Sequence, residues 1–128
     1  MKPIKIALLL ALGLVPAPAL AQGLMFEYFT MITPNDTYNS RGQSVGDFCL
    51  AVQQDRANVH RFGNPDGDVV DPFFTTPERR AMIAGRCDYA RGHHSLANIR
   101  SRFNGFVLVR VYGAGGVVSR VQILEAAG

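Results

Sequence analysis

The 128-residue chain is poor in the residues from which most compact active sites are assembled. It holds two cysteines, three histidines and lysine only at positions 2 and 5. No apolar stretch is long enough for a spanning helix, and Pro16 and Pro18 interrupt the one near the start. The cysteines, Cys49 and Cys87, lack the C-x-x-C spacing that tunes a reactive thiolate. His60, His93 and His94 match no zinc-binding spacing, and neighbouring histidines on a helix diverge by ~100°. Ser95 follows two histidines but has no G-x-S-x-G turn to expose it as a nucleophile. Gly113 to Gly116 joins two strand-like segments, so it is no phosphate-cradling loop, and no motif implies a cofactor.

What is present begins with a leader. Lys2 and Lys5 precede an apolar run from Ile6 to Val15, and Ala19-Leu20-Ala21 supplies small residues before Gln22. That order predicts a cleaved secretory signal over 1–21 and a single domain over 22–128, periplasmic or secreted. The residue directly after the predicted cleavage point is Gln22 and not a cysteine, which argues against a lipidated terminus. In an oxidising compartment, Cys49 and Cys87 are expected to pair as one disulfide.

Cleavage removes both lysines. The remaining 11 arginines and 10 acids make the mature chain +1, weak grounds for nucleic-acid binding, and no specific binding of that kind is expected. The charges are unevenly placed. Residues 22–76 hold 3 Arg against 7 acids, whereas residues 77–128 hold 8 Arg against 3 acids. The halves either neutralise each other or present a cationic face. Arg79, Arg80, Arg86, Arg91, Arg100 and Arg102 would form that face, and arginine suits bidentate contact with carboxylate or phosphate. An acidic envelope protein or an anionic envelope component is the partner this predicts. A solvated face is the simpler reading of the same run.

The periodicity predicts an α+β fold. Residues 24–33 read as a strand or extended arm ending at Pro34. Ser44 opens a capping-box pattern with Asp47, and apolar residues at 45, 48, 49, 52, 59 and 62 recur at helical spacing up to Gly63. A second helix starts at Thr75 or Thr76 with Pro77 at its first position, and a third runs from His94 or Ser95 through Leu96, Ile99 and Phe103. Residues 88–92 read as connector. Phe106 to Tyr112 and Val117 to Leu124 alternate and flank a glycine-rich turn, giving an antiparallel C-terminal β-hairpin. A bulge or five-residue loop is favoured there, because it gathers Val107, Val109, Val111, Val117, Val121 and Ile123 on one face. About three helices are expected to pack on this hairpin, with a strand from the N-terminal segment added to it.

The densest chemistry lies in QQDRANVHRFGNPDGD, residues 53–68. On a helical projection, Arg56 falls inside the apolar arc of Val45, Phe48, Cys49, Val52 and Val59, with Asp55 on one edge and His60 on the other. A guanidinium rooted there either snorkels to water or meets a carboxylate from Asp66, Asp68, Asp71 or Glu125. His60, Asp55 and Arg56 are also the candidate catalytic set of a small exported hydrolase, and His94 could serve as a second imidazole. Asn64, Asp66, Asp68 and Asp71 offer oxygen ligands, but Val69 and Thr75 occupy the positions where an EF-hand needs Gly and Glu. A Pro-Asp-Gly turn accounts for them more simply, and an irregular calcium site is the alternative. The leading expectation is a non-enzymatic exported binding or accessory protein, with the hydrolase as runner-up.

Overall fold

The computed structural model describes residues 13, 23–89, 95–101 and 105–126. The predicted leader, residue 13 apart, lies outside them, as do Arg91, His93, His94, Arg102 and Phe103. The fold is α+β, with strands β1 (Gly23–Ile32), β2 (Cys87–Tyr89), β3 (Gly105–Ala114) and β4 (Val117–Glu125). The helices are α1 (Phe48–His60), α2 (Pro77–Ala84) and α3 (Leu96–Ser101), with a 3-10 turn at Pro34–Thr37. Among the described residues no helix is long and apolar enough to cross a membrane.

The four strands form one mixed sheet in the order β1-β3-β4-β2. β3 pairs antiparallel with both β1 and β4, while β2 runs parallel to β4. The sequence places residues 88–92 in a connector. Instead Cys87–Tyr89 adds a strand, because the chain leaving α2 is already held along β4 by a bond from Val121 N–H to the Arg86 carbonyl. Alternation then sorts the faces. Tyr28, Thr30 and Ile32 of β1, Val107, Val109 and Val111 of β3, and Val121 and Ile123 of β4 are buried. They meet Phe48, Ala51 and Val52 of α1, together with Phe74, Ile83 and Ile99, in one core.

The hairpin turns on two residues, Gly115 and Gly116, both at positive φ as a tight right-twisting hairpin requires. A register shift follows between Tyr112 and Gly113. It pairs Val111 with Val121 and buries Val118, leaving Val117 exposed, the reverse of the face predicted for that pair. The bulge itself is the expected device for keeping the other valines inward.

α1 begins later than the capping pattern at Ser44 predicts. Tyr38 and Ser44 form a β-bridge, and Val45 N–H bonds the Thr37 carbonyl, so this stretch is extended. Asp47 caps the helix, accepting from Leu50 N–H at 2.8 Å. For α2 the cap is Thr76, with Pro77 in the first turn as expected. Cys49 of α1 and Cys87 of β2 are joined by a disulfide that ties the first helix to the edge of the sheet.

Candidate functional site

Residues 53–68 build two different things on opposite sides of α1. On the inner side is a closed ionic cluster. Arg56 is fully buried. Its Nε donates to Asp55 Oδ2 at 2.8 Å, Nη1 to the Val69 carbonyl at 2.9 Å and Asp71 Oδ1 at 3.0 Å, and Nη2 to Thr30 Oγ1 at 3.1 Å. The guanidinium stacks over the Tyr28 ring at 4.2 Å. Thr30 Oγ1 in turn donates to Asp55 Oδ1 at 3.0 Å, so strand and helix share one hydrogen-bond chain. Of the carboxylates anticipated for Arg56, Asp71 is the one that meets it, and the adjacent Asp55 joins, fully buried and not at an edge.

Asp71 is bonded through both of its oxygens. Oδ1 lies 2.7 Å from His60 Nε2, and Oδ2 accepts from Phe73 N–H at 2.8 Å and Phe74 N–H at 2.6 Å. Burial alone would raise its pKa, but those two amides, His60 and Arg56 hold it below the usual carboxylate value. Burial pushes Asp55 well above that value, and Arg56 pulls it back only in part. Arg56 itself is pushed up, since Tyr28, Asp55 and Asp71 outweigh the effect of its burial.

The aspartates of the following loop serve as staples for the end of β1. Asp66 accepts from Thr33 Oγ1 at 2.6 Å and Asn35 Nδ2 at 3.0 Å, and Asp68 accepts from Met31 N–H at 3.1 Å. Asn64 bonds both the N–H and the carbonyl of Asp68, closing the turn on itself. Asp36 is buried beside them, taking bonds from Thr33 N–H and Asn58 Nδ2. No group of three or more His, Cys, Asp or Glu side chains among the described residues is arranged to hold a metal ion.

The structure thus brings His60, Asp55, Arg56 and Asp71 together, but beneath the surface. His60 has 8% of its side chain exposed and the two aspartates essentially none. Thr30 and Tyr28 belong to this cluster, and Asp36 and Asn58 to the neighbouring one around Thr33; the sequence singles out none of the four. The alternation of Tyr28, Thr30 and Ile32 along a strand is the signal that points Thr30 inward.

On the outer side of α1 are two adjoining pockets that share Ser40, Gln54 and Phe62. The larger, about 350 Å³, lies between α1 and the 35–40 segment, with Asn35, Tyr38 and Asn58 in its walls. The smaller, about 180 Å³, lies between α1 and the start of α2, and Gln53, Arg61 and Arg80 line it. Arg80 is 5% exposed, donates to the Phe74 carbonyl at 3.2 Å and has no salt-bridge carboxylate among the described residues. Burial first, and then repulsion from Arg61, lower its pKa. Arg61 is exposed, lies against the Phe62 ring and likewise has no carboxylate within salt-bridge reach among the described residues.

The other arginines singled out from the sequence are scattered. Arg79 donates to the Phe73 carbonyl and stacks on that ring, and Arg86 is exposed at the entry to β2. Arg100 donates to the Thr37 and Val45 carbonyls, tying α3 to the segment before α1. Arg110 pairs with Glu27 across β1 and β3, one place where the basic half meets the acidic half. No family model, curated protein or solved structure matches the chain.

Proposed function

We propose that this chain is a small exported binding protein, without a catalytic role, that receives a carboxylate or phosphate group at Arg61 and Arg80. The observation that carries this reading is the placement of two guanidinium groups in the walls of one pocket with no ion-pair partner for either among the described residues. Like charges so placed repel, and a bound anion turns that repulsion into two charge-assisted hydrogen bonds. Gln53, whose Oε1 accepts from Ala84 N–H, and the Ser40 hydroxyl add polar walls without adding negative charge. The Arg-rich C-terminal half therefore contributes through Arg80, and α1 contributes Arg61. An anionic envelope component or an acidic partner fits this chemistry.

The hydrolase reading depends on His60, Asp55 and Arg56, and their burial and mutual saturation argue against it. Two-dimensional NMR of the mature protein, titrated with inorganic phosphate and with acetate over a salt series, tests the proposal. Shifts are expected at Arg61, Arg80 and Gln53, weakening as salt rises, with Arg61→Ala reducing affinity about tenfold. Absence of any shift at low salt overturns the anion site.

A further inference from the structure

We infer that the two pockets on the outer side of α1 form one elongated site for an acidic saccharide, its anionic group at Arg61 and Arg80 and a second ring over Tyr38 and Phe62. The inference rests on the anion site just proposed and extends it along the helix. Continuity comes from Ser40, Gln54 and Phe62, each of which borders both pockets. Together the volumes reach the range of about 300–1,000 Å³ in which small-molecule ligands are held.

The chemistry of the larger pocket selects the ligand class. Tyr38 and Phe62 stand at 44% and 43% exposure on its rim, each with a guanidinium over part of the ring, Arg100 at 5.5 Å and Arg61 at 5.2 Å, and the remainder open to solvent. Such faces suit the C–H surface of a sugar ring. Between them lie oxygens without partners among the described residues. Gln54 donates through Nε2 to Asn58, leaving its Oε1 free, and Asn35 donates through Nδ2 to Asp66, leaving its Oδ1 free. The hydroxyls of Tyr38 and Ser40 make no hydrogen bond among the described residues and can both donate and accept. Free amide oxygens and hydroxyls beside exposed rings match a ligand rich in O–H groups.

A peptide fits less well. Strand addition needs an open row of main-chain groups, and here the backbone is already paired. Asn39 N–H bonds the Gln43 carbonyl, Gly42 N–H the Asn39 carbonyl and Val45 N–H the Thr37 carbonyl. The opposite wall is a helix face, whose main chain is closed on itself. Nor is the pocket a deep apolar cleft for an amphipathic helix.

The test is calorimetric titration of the mature protein with a uronate-terminated disaccharide. The comparison ligands are its neutral counterpart, the free uronic acid, a hexose phosphate and a short acidic peptide. The disaccharide is expected to bind at least tenfold tighter than the free uronic acid and than its neutral counterpart. Tyr38→Ala and Asn35→Ala, both confined to the larger pocket, should each remove most of the first advantage while leaving inorganic phosphate binding unchanged, and Arg61→Ala should weaken every anionic ligand. Retention of the native circular dichroism spectrum by each variant separates loss of the site from loss of the fold, and if one variant unfolds the other carries the comparison. Equal affinity for disaccharide and free acid, or tighter binding of the peptide, overturns the saccharide while leaving the anion site standing. Failure of every anion, phosphate included, removes both. A hexose phosphate that outcompetes the uronate identifies phosphate as the anionic group within the same class.

Discussion

The Arg56 guanidinium lies 3.0 Å from Asp71 across fifteen residues of chain, and the same Asp71 oxygen is 2.7 Å from His60. One carboxylate therefore joins the middle of α1, the end of α1 and the loop that leads to α2. Its other oxygen fixes the main chain at Phe73 and Phe74, and those rings pack with Phe26 of β1. An ionic cluster of this kind holds helix, loop and sheet in one register, and its value is felt when a member is lost.

Replacing Arg56 with Ala or Met leaves Asp55 and Asp71 buried without their common cation. Breaking a buried pair in this way costs about 3–5 kcal/mol. Urea unfolding followed by circular dichroism should show a matching fall in midpoint at unchanged slope. Thr30→Val is the milder companion, since Arg56 and Asp55 each lose one bond, with an expected cost of about 1–3 kcal/mol. An Arg56→Met protein as stable as the parent would show that the cluster does not hold the fold.

That cluster marks how far the sequence could be read. The inward direction of Arg56 follows from helical spacing alone, because Val52 and Val59 lie on the same arc. The burial of Asp55 does not, since it depends on β1 covering one flank of α1 with Thr30. Both central helices and the hairpin are legible from their period and caps. β2 is not, because three residues contain no alternation and its partner β4 lies more than thirty residues ahead. Ser44 shows a related limit: its capping pattern is sound locally, but the bridge from Ser44 to Tyr38 and the Val45 bond to Thr37 keep it extended. The outer pockets combine α1 side chains with a loop and with α2, and only their α1 members share a recognisable spacing.

Stability should depend on pH through Asp36. Burial raises its pKa to about 7, against the opposing bonds from Thr33 and Asn58, while Asp66 and Asp68 add repulsion. The unfolded chain releases that proton near its ordinary value of 3.8, so folding takes up a proton between the two values. Stability from this residue is therefore greatest below about pH 4 and declines as pH rises to about 7, by at most about 4 kcal/mol. Asp55 is shifted the same way, and Asp71, held low, contributes stability that is lost only under stronger acid. Urea midpoints at pH 4.5, 6 and 7.5 should fall in that order. Asp36→Asn should flatten the trend, and an identical slope in the variant would assign the dependence elsewhere.

The Cys49–Cys87 disulfide spans 38 residues. On chain-entropy grounds, closing a loop of that length is worth about 4 kcal/mol. Because the bridge joins α1 to the edge strand β2, reduction frees the short strand as well as the helix. The Cys49→Ser, Cys87→Ser double variant should unfold at markedly lower urea, and reductant should lower the parent's midpoint but not the variant's. Coincident curves for parent and variant would mean the bridge adds nothing to the folded state.

Two glycines should respond to alanine in opposite directions. At Gly113, beside the bulge of β3, an added Cβ would run into the Val117 carbonyl across the hairpin and come within 2.8 Å of Met25 Sδ. The first obstacle is main chain and cannot swing away, so Gly113→Ala must open the bulge or shift the turn, at a cost of about 1–3 kcal/mol. Gly85 ends α2 at φ −73° with open space where a Cβ would point. Alanine fits there without strain and reduces the freedom of the unfolded chain, so Gly85→Ala should stabilise by about 0.4–1 kcal/mol. Thermal unfolding of the two variants beside the parent should place one melting temperature below it and one above. A Gly113→Ala protein that melts with the parent would mean that β3 and β4 do not pair with the shift between Tyr112 and Gly113, and the inward set of valines would then need reassignment.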